Sequence, residues 1–505
     1  MKGELNRRDF LKTAGAGTAL AATAGLWSGC GLSPQKPNII YILADDLGYG
    51  ELGCYGQAKI KTPHIDRLAA EGMRFTQHYS GSPVCAPSRC TLLTGLHTGH
   101  STIRDNDEMN QRGDVWRDRS IEGQRPLPMG TETVGHMLKG AGYATGCIGK
   151  WGLGGPEDEG HPNLQGFDHF FGYLCQREAH NYYPDHLWRN RERVQLNNEY
   201  LHPHERLAED ADPDDAASYA RYKGQDYAPD LMEAEALDFI RSNRKKPFFL
   251  YLASPIPHVS LQVPDEALSE YEHAFEESPY KGEKGYLPHQ KPLSAYAAMI
   301  SHLDRSVGRI MALLKELGLD ENTLVMFSSD NGATFNGGTD RDFFQSNAPL
   351  RGGKCEVYEG GIRVPLVARW PGKIKSGSTS DHISAFWDML PTFAEVAGCA
   401  SPVDLDGISV LPALTGETEQ TAHDYLYWEY FGRPAQAVRM GPWKGVRRYE
   451  RKTHRPLDVE LYYMLDDAAE QHDVAAQYPD LVASVLRIME ARTPSPFAAW
   501  NFKQQ

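Results

Sequence analysis

Positive charge is the scarce ingredient of this chain: 52 Lys and Arg stand against 67 Asp and Glu, a formal net charge of −15 over 505 residues. Nucleic acid is therefore a poor partner, because phosphate binding needs clustered Lys and Arg. The balance does not exclude a small anionic substrate, since a local basic pocket can override the global field. Long apolar runs are missing too. The apolar stretch near the start, Thr13 to Trp27, is too short for a stable transmembrane helix. No internal repeat and no long low-complexity tract is visible. The eight cysteines show no paired CxxC spacing, which argues against a structural zinc site, and their spacing selects no disulfide pairing. What remains is ordinary globular composition, 41% hydrophobic and 24% charged, in a chain long enough for one large domain and a smaller one.

The first thirty residues read as a targeting segment and are set aside from the fold. Arg7 and Arg8 are followed by Asp9-Phe10-Leu11-Lys12 and then by the small-residue stretch to Trp27. That order resembles a twin-arginine export signal. Leu26-Trp27-Ser28-Gly29-Cys30 is similar to a lipoprotein cleavage site, from which Trp27 departs because a small aliphatic residue is usual there. The expected location is periplasmic or at the cell surface. Cys30 is then either a lipidated membrane tether or is lost on plain cleavage and release.

After a short polar linker, Asn38 to Leu43 is a continuous apolar run that stops at Asp45 and Asp46. Tyr143 to Ile148 runs into Lys150, Phe248 to Ala253 leads through two prolines to His258, and Leu324 to Phe327 leads to Asp330 and Asn331. Such runs suit strands buried on both faces of a parallel sheet. Helical spacing fills the gaps, in Thr62 to Gly72 and in Tyr296 to Leu317, the latter closed by Gly318. The alternation predicts a large α/β sandwich with a mostly parallel central sheet over residues 38–400. Ligands of such sheets gather at the carboxyl ends of the strands, so the four polar clusters should share one pocket. Residues 156–226 read as a loop-rich insertion that shapes this pocket. From Ser401 a smaller α+β subdomain is expected, with strands at Val438 to Arg447 and Glu460 to Leu465 and a closing helix from Tyr478 to Ala491.

The segment Pro83-Val84-Cys85-Ala86-Pro87-Ser88-Arg89-Cys90-Thr91-Leu92-Leu93-Thr94-Gly95 is the most informative. Pro87 suits the first turn of a helix and Gly95 its end, which puts Cys85 just before a helix N-terminus. Backbone N–H groups and the dipole favour an anion there, so the thiol is expected to be reactive. Arg89, one turn in, could pair with an oxyanion.

This segment resembles the sulfatase signature, Cys-x-Pro-Ser-Arg with a Thr-Leu-Leu-Thr-Gly tail. Gly142-Tyr143-Ala144-Thr145-Gly146-Cys147-Ile148-Gly149-Lys150-Trp151 is similar to the second signature of the same family. Asp45-Asp46, Gly166-Phe167-Asp168, Asp330-Asn331-Gly332, Leu350-Arg351-Gly352-Gly353-Lys354 and Tyr358-Glu359-Gly360-Gly361 follow in family order. The resemblance spans residues 38 to about 415 and implies an alkaline-phosphatase-like sandwich and hydrolysis of sulfate esters. It further implies that Cys85 is oxidised to formylglycine, by a formylglycine-generating or an anaerobic sulfatase-maturing enzyme. The hydrate of that aldehyde would attack sulfur and later expel sulfate through its second hydroxyl. Asp45, Asp46, Asp330 and Asn331, with the modified Cys85, match the calcium ligands, all hard oxygen donors. Arg89, Lys150 and Lys354 match the residues that hold the aldehyde or the sulfate oxygens, and His258 matches the histidine facing the leaving oxygen, a general acid.

One departure stands out. The family often has Lys-Trp-His-Leu-Gly where this chain has Lys150-Trp151-Gly152-Leu153-Gly154. Gly152 has no side chain to bond the hydrated aldehyde, so another residue or a water must do so; His180 of the insertion is one candidate and is also taken as a substrate contact. The aromatic and polar insertion, with Tyr182, Tyr183, His186 and Trp188, suits a sulfated carbohydrate, since sugar faces stack on rings. Two alternatives stay open at this stage: a phosphate or phosphonate ester hydrolase of the same superfamily, and an inactive sulfate-binding lipoprotein should Cys85 stay unmodified.

Overall fold

The computed structural model describes residues 36–107 and 118–502. The export segment and Cys30 lie outside the described residues. Among the described residues, fifteen strands form two sheets. In the large sheet, β1 (Asn38–Ala44), β3 (Ala144–Lys150), β7 (Phe248–Ala253) and β8 (Thr323–Ser329) are the four apolar runs of the sequence, and every residue in them is buried. The others are β2 (Met73–Tyr79), β4 (His169–Tyr173), β5 (His186–Arg189), β6 (Glu192–Gln195), β9 (Arg363–Arg369), β10 (Ser378–Ser380) and β11 (Ser384–Ala385). The order is β10-β2-β9-β8-β1-β7-β3-β4-β5-β6, with β11 also on β2.

The centre β8-β1-β7-β3-β4 is parallel throughout. Alternation along these strands feeds two cores. Ile40, Ile42, Leu250, Leu252, Val325 and Phe327 face one side, against the helix Pro292–Glu316 and its Met299, Ile300 and Leu303. Ile39, Tyr41, Leu43, Phe249, Tyr251 and Met326 face the other, against Leu92 and Leu93 of the helix Cys85–Thr94 and Phe393 of the helix Met389–Ala397. This is the expected sandwich. Its long helix starts earlier than Tyr296 because Pro292 sits in its first turn, where no N–H is needed.

Two expectations need correction. Residues 156–226 are not a plain insertion: β4 pairs parallel with β3, and the β5–β6 hairpin extends the sheet to its edge. These strands are four or five residues long, too short to show a period. Val438 to Arg447 is not one strand. A turn at Gly441-Pro442 divides it between β13 (Ala435–Met440) and β14 (Trp443–Tyr449), the middle of a four-stranded antiparallel sheet with β12 (Leu426–Tyr430) and β15 (Pro456–Tyr463). The expected closing helix is present at Pro479–Glu490 and packs Val485 and Met489 on this sheet. A buried ion network joins the small sheet to the large one: Lys444 Nζ lies 2.9 Å from Glu359 Oε1 and 2.8 Å from Glu470 Oε1.

Candidate active site

The four polar clusters do converge. β8, β1, β7 and β3 lie side by side, so their carboxyl ends deliver Asp330 and Asn331, Asp45 and Asp46, His258 and Lys150 to one floor. Asp46 adopts φ 67°, a left-handed conformation that a short polar side chain tolerates, and its N–H donates to Asp330 Oδ1 at 3.1 Å. The helix beginning at Cys85 brings the thiol to the same place. Cys85 Sγ donates to Asp45 Oδ1 at 3.2 Å and lies 3.8 Å from Asp46 Oδ1. Lys150 Nζ donates to Asp45 Oδ2, and Lys354 Nζ to Asp46 Oδ2 at 2.6 Å. Arg89 spends its fork on Asp330 Oδ2 (2.9 Å), Trp151 O (3.0 Å) and Gln176 Oε1 (2.8 Å). All of these are buried.

The electrostatics follow from that packing. Burial raises the Asp330 carboxyl to about 8, helped by Asp45 and Asp46 and opposed by Arg89. Burial also opposes the charge on Asp45, yet Lys150 first, with Arg89 and Lys354, outweighs it and holds that carboxyl below its usual range. Burial, then Lys354 and Lys150, lower His258 to about 3, so its ring is neutral. Val259 O takes the hydrogen bond from Nδ1, and Nε2 faces Asp46 Oδ2 at 3.6 Å. Of the chain's own contributions, burial first, then Asp330 and Asp45, push the Cys85 thiol well above its ordinary value, opposite in direction to the expectation from the helix N-terminus.

The residues fit a divalent cation. Asp45, Asp46, Cys85 and His258 each offer a ligand atom within 4.8 Å of the others. Asn331 donates its amide N–H to Asp46 Oδ1 at 2.8 Å and leaves its Oδ1 buried with no hydrogen-bond partner. An orphaned oxygen beside three converging carboxylates is a hard-donor set short of one positive ion. Here the expected ligands Asp45, Asp46, Asp330 and Asn331 come together with Cys85, and His258 Nε2 faces the same floor.

A family model described as "Sulfatase" matches residues 37–399, and one described as "N-sulphoglucosamine sulphohydrolase, C-terminal" matches residues 353–492. The chain belongs to the sulfatase family. It is a sulfuric ester hydrolase. Among its relatives, the N-acetylgalactosamine-6-O-sulfatase of Bacteroides thetaiotaomicron is 31% identical over 91% of this chain and 94% of that protein. The mouse (Mus musculus) steryl-sulfatase is 32% identical over 81% of this chain and 70% of that one. The crystal structure of Ps i-CgsB in complex with k-i-k-neocarrahexaose is 29% identical with a TM-score of 0.71, covering 93% of this chain and 94% of that chain. A twin-arginine translocation signal matches residues 4–24, which indicates export of this sulfatase across the membrane.

In this sulfatase the space beside Gly152 is filled from elsewhere in the chain. Gln176, which the sequence did not single out, lies against Gly152 and bonds Arg89. Its only signal was the glycine itself, 24 residues upstream. His180 sits elsewhere in the pocket: its ring stacks on His258, centroids 4.9 Å apart at 12°, and its Nδ1 lies 3.3 Å from His204 Nε2. Tyr286 closes the group at 5.1 Å from His180 and 5.7 Å from His258. His204 and Tyr286 were likewise missed, since their segments carry no period.

Proposed function

We propose that this enzyme is an exported carbohydrate sulfatase whose nucleophile is made from Cys85. One observation carries the reading: the Cys85 side chain is aimed at the Asp45–Asp46 pair, each carboxylate of which also holds a lysine, Lys150 or Lys354. Asp45, Asp46, Asp330, Asn331 and the oxidised Cys85 would hold a calcium ion, which would supply positive charge beside the nucleophile and the sulfate oxygens. The formylglycine supplies a hydrated aldehyde, with one hydroxyl to attack sulfur and a second to expel sulfate, which an unmodified thiol lacks.

The chain's own groups do the rest. Lys150 and Lys354 set fixed positive charge where the sulfate oxygens gain negative charge. Arg89 holds Asp330 in place and faces the site from one turn inside the Cys85 helix. Val259 O accepts the hydrogen bond from His258 Nδ1–H and so turns Nε2 toward the leaving oxygen, to which Nε2 gives a proton once the negative charge of the bound sulfate ester favours the protonated ring. His180, stacked on His258, fixes that ring and adds a polar edge for the alcohol part of the substrate.

A relative named for a steryl ester and one named for an amino-sugar ester share similar identity with this chain, so the pocket must choose the alcohol. Here His180, His204 and Tyr286 surround His258, a polar and aromatic rim that favours a sugar over a sterol. The k-i-k-neocarrahexaose bound to Ps i-CgsB agrees with that choice. Residues 38–400 form the catalytic domain and 401–505 its C-terminal partner. Cys85 is matured by a formylglycine-generating or an anaerobic sulfatase-maturing enzyme, and the product acts in the periplasm or at the cell surface, tethered there where Cys30 is lipidated.

The test is a peptide mass spectrum across Cys85, on protein from a host with a maturing enzyme, paired with sulfate release from aryl and sugar sulfates. Aldehyde formation with release that tracks it is the expected result. An installed aldehyde that cleaves only phosphate or phosphonate esters would replace the substrate class. An intact thiol with no release would leave a sulfate-binding lipoprotein.

A further inference from the structure

Beside the catalytic pocket lies a second cleft of about 480 Å³ that the chemistry above does not use. Arg351, Arg433, Arg448 and Arg451 line it, and Glu356 is its one acidic lining residue. In a chain of net charge −15, four guanidiniums in one cleft run against the global field. Their partners do not cancel them. Arg433 Nη1 lies 3.0 Å from Glu356, Arg448 Nη2 lies 2.7 Å from Glu460, and Glu460 is also 3.8 Å from Arg351. Arg451 has no ion-pair partner among the described residues. Four cations against two carboxylates leave an excess of two positive charges.

The cleft is built and joined to the active site. Arg351 donates to Tyr462 Oη and to Glu470 O, both at 2.9 Å, and its guanidinium sits 3.8 Å from the centre of the Tyr358 ring. Arg433 lies over Phe335 at 5.0 Å. Cys355, in the wall of the cleft, directly follows Lys354, and its N–H donates to Pro83 O, two residues before Cys85, at 2.9 Å. One peptide unit therefore separates this cleft from a lysine on the catalytic floor. A planar fork suits sulfate and carboxylate groups alike.

We propose that this cleft is a second anion subsite, which takes a further sulfate or carboxylate group of the same glycan chain and so selects polyanionic saccharides. It rests on the reading of the enzyme as a carbohydrate sulfatase. Binding and turnover are measured separately. A fluorescently labelled sulfated dextran oligosaccharide is titrated by anisotropy, with unsulfated dextran as the neutral control. Wild type binds the sulfated form only, and Arg433→Ser/Arg451→Ser binds it at least about ten-fold more weakly. Lys245→Ser/Lys246→Ser, which removes the same charge from exposed positions elsewhere, keeps wild-type affinity. Equal binding by wild type and the arginine double variant, or an equal loss in the lysine control, overturns the subsite. Where the double variant melts early, Arg451→Ser alone is read, since that arginine breaks no pair. Sulfated dextran that binds without any sulfate ester being hydrolysed leaves the subsite standing and removes the catalytic reading.

Discussion

A β-carbon built on Gly152 would lie 3.0 Å from Gln176 Oε1 and 2.8 Å from Arg89 Nη2, so Gln176 fills the space a side chain at 152 would need. The amide oxygen there accepts from Arg89 at 2.8 Å, and Arg89 in turn holds Asp330. Gln176 is thus a positioning residue for the floor of the site. A hydrogen bond to a charged group contributes about 1.5–3 kcal/mol, so Gln176→Ala should lower kcat roughly 10- to 100-fold with little change in KM. Gly152→His alone should lose activity by displacing Arg89. Adding Gln176→Ala should recover part of it by clearing the space, and steady-state kinetics of the four-member cycle measure that coupling. Additive losses would remove Gln176 from this role.

The unspent Asn331 Oδ1 makes a prediction about metal that needs no turnover. Calcium should raise the melting temperature of the wild-type protein, because an ion that binds only the folded state stabilises it by mass action. Chelation should reverse the rise. In Asn331→Ala the calcium-dependent rise should shrink, and in Asp330→Ala activity and stability should both fall with excess calcium restoring neither. Normal activity and an unchanged calcium response in Asp330→Ala would refute the ligand set.

How far these groups could be read beforehand depended on what holds them. β1, β3, β7 and β8 were legible because a strand buried on both faces must be apolar along its whole length, and each run stops at polar residues. Parallel neighbours then force those stops together, so Asp45, Lys150, His258 and Asp330 were readable as one site. The state of the Cys85 thiol was not. A helix N-terminus is a local feature, whereas the Asp330 and Asp45 carboxylates that oppose it arrive from strands the sequence places far away. Gln176 was hidden for the same reason: a loop residue with no period announces itself only by touching Gly152. The β13–β14 turn was lost because Gly441-Pro442 breaks a run whose apolar content continues on both sides.

His258 separates substrates by leaving group. A phenolate departs with little help, whereas a sugar alkoxide needs a proton in the transition state. His258→Ala should therefore lose about 100- to 10,000-fold of kcat/KM on a sugar sulfate, the range usual for general acids, and far less on an aryl sulfate. Paired kinetics on the two substrate types decide it. Equal losses on both would leave His258 as a structural neighbour of Asp46 rather than the acid.

His186 gives the fold a pH dependence that is independent of the active site. Its Nε2 lies 3.0 Å from Glu122 Oε2 and its Nδ1 2.8 Å from Asp185 Oδ1, with the Arg193 guanidinium also near Nδ1. Burial opposes the charged ring, but the Asp185 and Glu122 carboxylates outweigh burial and Arg193 and raise it from 6.5 to about 9. A folded-state value above the unfolded one means the folded protein holds its proton longer. The stabilisation is complete below pH 6.5 and is lost as pH climbs through about 9. A rise of that size corresponds to roughly 3 to 4 kcal/mol of stability. Melting temperature measured from pH 6 to 10 should thus fall more steeply in wild type than in His186→Gln, which begins lower and lacks this titration. Parallel curves would mean that the Glu122–His186–Asp185 arrangement carries no proton-linked stability.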